Sequence, residues 1–159
     1  RKLYTNNKFM GSITTKIWFI NKRYLIFKVL TSIVVIFTGG LIYLGWRTGN
    51  LVMFQLIEKW GMSDYLKSFR DISTNYSIYE WIKYSMPDGL WLFSYMFLID
   101  TVWGNHKCIS YYIFLWTLPV AAILSELLQF ITIVPGTFDF VDLSCYILAV
   151  VVFYILKLF

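Results

Sequence analysis

Long, unbroken apolar runs dominate this sequence and limit what it can fold into. They cover Tyr24–Trp46, Leu90–Trp103, Ser110–Val134 and Phe138–Phe159. In hydrocarbon every backbone N–H and C=O must be satisfied inside the protein, which leaves helices and closed barrels. A barrel needs alternating strands, and these runs do not alternate, so the spacing predicts helices. The second run is about 14 residues long, against the roughly 20 a span needs. Met86-Pro87-Asp88-Gly89 must then supply its first turn, or the helix borders a thinned or watery region. Pro119 sits inside the third run as an expected kink. Of the 159 residues, 58% are hydrophobic and 14% charged. A soluble domain this small cannot hide so much apolar surface, and disorder needs the opposite balance. The expected fold is all-α: a polytopic membrane protein with four transmembrane helices, forming one domain over 24–159 behind a basic segment at 1–23.

The distribution of charge predicts sidedness. Residues 1–23 carry six Lys/Arg and no acid, a cytoplasmic flank rather than a nucleic-acid surface. The short loop at 104–109 holds Lys107, the turn at Pro135-Gly136 has no basic residue, and Lys157 lies near the C-terminus. With four spans, both termini and the basic loop fall inside and the uncharged turn outside, in a bacterial cytoplasmic (inner) membrane. The outer loop 47–87 contains two amphipathic stretches, Asn50–Trp60 and Ser77–Ser85. They either lie on the membrane surface or fold over the bundle as a cap. Gly39, Gly40 and Gly45 are placed for close helix contact. Cys108 and Cys145 have neither metal spacing nor a disulfide framework. His106 and Cys108, in one short loop, lack the convergent geometry of a nucleophilic pair. No glycine-rich phosphate loop is present, and no cofactor is expected.

Acids inside apolar runs are costly, about 2.5–3.5 kcal/mol each on insertion scales, and call for a partner, a cavity or water. Asp88, Asp100, Glu126, Asp139 and Asp142 qualify. Glu126 lies eight residues before Val134, about 12 Å from the end of its run, with Gln129 at i+3 on the same face. Asp139 and Asp142 share a face at the start of the fourth run, and the short connection makes runs three and four antiparallel neighbours. Asp88 opens the second run. Four acids and an amide thus collect in the outer half of one bundle, as a cavity or ligand site. Asp88, Ser85 and Asp139 could instead cap helices, and Glu126 could serve as an interhelical hydrogen bond. Asp100 is at the depth of Lys28, and a Lys28–Asp100 ion pair linking the first two spans is expected.

Three blocks resemble the VanZ-like family of small bacterial membrane proteins, named for an accessory teicoplanin-resistance protein. Met86-Pro87-Asp88 is similar to its Leu-Pro-Asp, Glu126-Leu127-Leu128-Gln129 to its Glu-x-x-Gln, and Phe138-Asp139-Phe140-Val141-Asp142 to its Phe-Asp-x-x-Asp. Gly136 stands where that family usually has Arg, Tyr146 where it has Asn, and no basic residue soon follows Asp88. The resemblance implies a divergent multipass protein of the cell envelope with a link to glycopeptide resistance, and no established reaction.

Together these readings favour an outward acidic cavity for a lipid-linked or cell-wall ligand, cationic or hydroxyl-rich, lined by Glu126, Gln129, Asp139 and Asp142 with Asp88 at its rim. The alternatives are a proton- or cation-coupled carrier, a Mg²⁺-dependent lipid-modifying enzyme, or a structural subunit of an envelope complex. An enzyme is left unsupported, because the carboxylates point away from cytoplasmic nucleotide and the outer half of the bundle shows no His or Arg near a phosphate. Membrane lipids are expected partners, with a homodimer or an envelope protein as further ones and no nucleic acid.

Overall fold

The computed structural model describes residues 25–47, 52–104 and 107–158. The basic segment 1–23 therefore lies outside the described residues, as do His106 and Phe159. Among the described residues the regular structure is entirely helical. The helices are α1 (Leu25–Trp46), α2 (Val52–Lys59), α3 (Ser63–Thr74), α4 (Glu80–Tyr84), α5 (Met86–Trp103), α6 (Ile109–Phe130) and α7 (Phe140–Leu158).

The bundle is built around α5. Leu92, Phe93, Ser94, Met96, Phe97, Asp100 and Thr101 on this helix are all buried, packed with Tyr111 and Leu115 of α6 and Ala149 and Phe153 of α7. On its other side, Trp91 Nε1 donates to the Ile36 carbonyl of α1 at 3.3 Å. Gly39 makes this approach possible, since a Cβ there would lie 2.7 Å from Trp91 Nε1. The surrounding helices are apolar on the outside: Phe37 of α1 is 65% exposed and Leu148 of α7 60%. In water such faces would drive aggregation. α1, α6 and α7 are long and apolar enough to cross a membrane. The chain is thus all-helical, with three helices of membrane-spanning character. α5 is as long as 18 residues but more polar, because its side chains meet other helices and not an apolar solvent. Met86-Pro87-Asp88-Gly89 does form its first turn, with proline where no helical N–H is required.

Two boundaries differ from the sequence expectation. The third run was expected to stay helical to Val134, but α6 stops at Phe130. Ile131-Thr132-Ile133-Val134 are all β-branched and precede Pro135, a combination that disfavours helix. The end is closed by a Schellman pair, Thr132 N–H to Gln129 O and Ile133 N–H to Leu128 O, both at 3.0 Å. Thr132 takes the left-handed position at φ 59°, where a β-branched residue costs about 1–2 kcal/mol. Thr132→Gly should therefore stabilise the protein by about 0.5–1 kcal/mol, measured by reversible denaturation in mixed micelles. A loss of stability would show that the threonine side chain makes a compensating contact. The second difference is the start of α7, which is Phe140 rather than Phe138.

The segment between α1 and α5 holds three helices, where two were expected. α3, which lacks a run of apolar residues, is the addition. The segment folds back on the last turns of α1. Arg70 Nη1 donates to the Leu44 carbonyl at 3.0 Å, and Trp46 Nε1 donates to Tyr76 O at 3.0 Å. Arg70 thereby occupies an orphan carbonyl at the C-terminus of α1. Gly45 lets Ser73 and Phe69 come close, while Gly40 has nothing near it.

Candidate functional site

The start of α7 determines the arrangement of the acids. Asp139 is its N-cap: Oδ1 accepts from Val141 N–H at 2.8 Å, and its carbonyl accepts from Leu143 N–H at 3.2 Å. Asp142 is three residues on, where a capping-box acid would reach back to the Asp139 N–H. That donor is already engaged across the bundle, by Glu126 Oε2 of α6 at 3.4 Å. Glu126 is 5% exposed and thus fastens α6 to the beginning of α7. Asp142 is left without its local partner, and its buried Oδ1 has no hydrogen bond.

Because α6 ends at Phe130, Glu126 is about one turn, or roughly 6 Å, from the helix end, not the 12 Å expected. The error came from the boundary, not from the face. Gln129 lies against the following turn, so close that a Cβ at Gly136 would be 2.7 Å from its Cδ. Gly136 adopts φ 146°, a backbone conformation that favours glycine, whereas the Gln129 side-chain end could swing aside.

Asp88 occupies the first turn of α5. It is not a cap. The preceding residue at the cap position, Ser85, is in a right-handed helical conformation and makes no side-chain cap bond. Asp88 lies within electrostatic reach of Arg47, Asp142 and Glu126. With Trp91, Leu92, Leu118, Ala122 and Tyr146 it lines a cavity of about 230 Å³. Tyr146 feels the charges of Asp88, Asp142 and Glu126 in turn. It was not counted among the site residues from sequence, although it sits at i+4 from Asp142 and i+7 from Asp139 on one face of α7. Arg47, just beyond α1, stacks over Tyr43 and Tyr84 at 5.4 and 5.0 Å. Its Nη2 donates to Tyr84 O at 3.4 Å, and its buried Nε is unpartnered.

A second cavity, of about 420 Å³, is lined by apolar groups of α1, α5 and α7, among them Val35, Phe93, Leu148 and Ala149. It reaches Gly89, next to Asp88 in the chain, and Cys145, about one helical turn beyond Asp142. Among the described residues no three His, Cys, Asp or Glu side chains converge to hold a metal ion. The acids thus form an electrostatic cluster beside a small cavity.

The opposite end of the bundle is basic. Lys28 Nζ of α1 is 3.2 Å from Asp100 Oδ2. The sequence suggested this pair alone, yet Asp100 Oδ1 also accepts from Lys107 at 2.5 Å and from the Tyr111 hydroxyl at 2.8 Å. Lys157 Nζ lies 3.8 Å from that same oxygen and donates to Tyr111 Oη at 3.0 Å. The sequence signal was position: each of these residues lies within about a turn of a helix end on one side of the bundle.

These features define an all-helical protein of membrane character with an acidic and a basic end. No family model matches the sequence, and neither a curated protein nor a solved structure matches it.

Proposed function

We propose that this chain is a VanZ-like multipass protein of the bacterial cytoplasmic membrane. In this reading α5 is a fourth span, both termini are cytoplasmic, and the acidic end faces outward. There it binds an amphiphile, a lipid-linked or cell-wall molecule with a cationic or hydroxyl-rich head. The observation that carries the reading is the free oxygen of Asp142 beside the cavity of Asp88 and Tyr146. A buried acceptor without a donor costs about 1–3 kcal/mol or more, and a ligand ammonium or hydroxyl would supply that donor. The apolar cavity at the level of Gly89 and Cys145 has the character an alkyl chain requires. Amine binding also follows the sign of the site, four carboxylates against Arg47.

The test uses the full chain in a neutral maltoside detergent. Dodecylamine should raise the melting temperature more than dodecanol does, and Asp88→Asn with Asp142→Asn should abolish the difference. Equal effects of the two amphiphiles on the unsubstituted protein would overturn the reading. Sidedness is tested by Thr137→Cys in a background with Cys108→Ser and Cys145→Ala. An impermeant thiol reagent should label intact cells; labelling only after permeabilisation would reverse the topology and reject an outward site.

A further inference from the structure

We propose that the basic end of the bundle is a headgroup site for an anionic phospholipid, held by the ammonium groups of Lys107 and Lys157. The inference rests on the membrane character of the chain but not on the acidic site.

Among the described residues, Asp100 is the one acid in the cluster, against Lys28, Lys107 and Lys157. The described side chains therefore carry two positive charges in excess. The carboxylate itself is closed to ligands: its side chain is 6% exposed, and Oδ1 is shared by Lys107, Lys157 and Tyr111. The side chains of Lys107 and Lys157 are each 30% exposed. Each ammonium has three donors, and together they outnumber the acceptors they meet here. Their common oxygen holds them so close that two oxygens of one phosphate can engage both.

Position and surroundings point to lipid as the source of that phosphate. Lys157 is near the end of α7 and Lys107 lies two residues before the start of α6, where a membrane-crossing helix meets the headgroups. The Lys157 ammonium is 5.4–5.6 Å from the ring centroids of Tyr111, Phe153 and Tyr154, and Trp103 packs on Tyr111 at 6.4 Å. Tyr and Trp concentrate at the membrane–water interface. Anionic lipids attract Lys there by about a factor of five per residue, so two lysines give about a thirtyfold preference.

The experiment is a titration of the detergent-solubilised full chain with phosphatidylglycerol, phosphatidylcholine or soluble glycerol phosphate, read by native mass spectrometry and melting temperature. Phosphatidylglycerol should bind about thirtyfold more tightly than phosphatidylcholine. Lys107→Gln with Lys157→Gln keeps the Lys28–Asp100 pair and should remove the preference; Lys107→Arg with Lys157→Arg should retain it. Asp88→Asn with Asp142→Asn should leave it unchanged, which separates this site from the acidic one. Equal binding of the two lipids by the unsubstituted protein overturns the proposal, even if the glutamine variant fails to fold. So does a preference that survives the glutamine substitutions. Stabilisation by glycerol phosphate equal to that by the lipid rejects the lipid as source.

Discussion

Asp100→Asn should destabilise the protein by about 3–5 kcal/mol, the cost of removing one partner from a buried ion pair. Asparagine keeps the shape and removes the charge, leaving three ammonium groups around a neutral amide. Lys107 and Lys157 are partly exposed and can turn toward water. Lys28, with its side chain 14% exposed, and the fully buried Tyr111 are less able to do so. Most of the loss should therefore fall on the α1–α5–α6 junction. Reversible denaturation in mixed micelles measures it, and a double-mutant cycle tests its origin. Lys28→Met in the Asp100→Asn background should be far less damaging than in the parent, because the charge it removes no longer faces the Asp100 carboxylate. Additive effects would show that the pair is not coupled. A loss below about 1 kcal/mol would mean that the cluster behaves as a solvated surface network.

The second large effect is expected at Gly89. Its α5 backbone meets α7 so closely that a Cβ would lie 3.1 Å from both the Cβ and the carbonyl oxygen of Cys145. A side chain can rotate away, but a helical carbonyl cannot without moving the helix. Gly89→Leu should cost about 3 kcal/mol, at the upper end for overpacking. Even Gly89→Ala should forfeit the gain of about 0.8–1 kcal/mol that alanine brings to a helix interior. Gly40 supplies the control: with nothing near its missing Cβ, Gly40→Ala should show that gain. If the two alanine variants behave alike, α5 and α7 do not pack as described.

The helical runs were legible because membrane-spanning character depends on composition along the chain, a local property. The end of α6 was misplaced because hydropathy continues through Ile131-Thr132-Ile133-Val134 while backbone propensity does not. The β-branched run before Pro135 held the correct answer. α3 was missed for the opposite reason, since its amphipathic pattern has too few apolar residues to stand out. Asp100 and Lys28 could be paired because both lie inside apolar runs, where charge is conspicuous. Lys107 and Lys157 sit at run ends, where lysine is ordinary, and only the tertiary fold brings them to one oxygen. The capping role of Asp139 was open from sequence. The role of Glu126 in displacing Asp142 from its own capping box depends on the meeting of α6 and α7, and no local pattern contains it.

The burial of α5 has a consequence for how such a chain is made. On the four-span reading, this helix is the least suited to enter lipid alone, yet it must lie at the centre. Its favourable contacts are largely with α6 and α7, which are synthesised after it. During translation α5 therefore has carboxylates but lacks most of the surfaces that accommodate them, and it becomes secure only when α6 and α7 arrive. A ribosome that stopped soon after Trp103 would leave behind a segment with little hold on the bilayer, so quality control could distinguish an unfinished chain from a finished one by this helix alone.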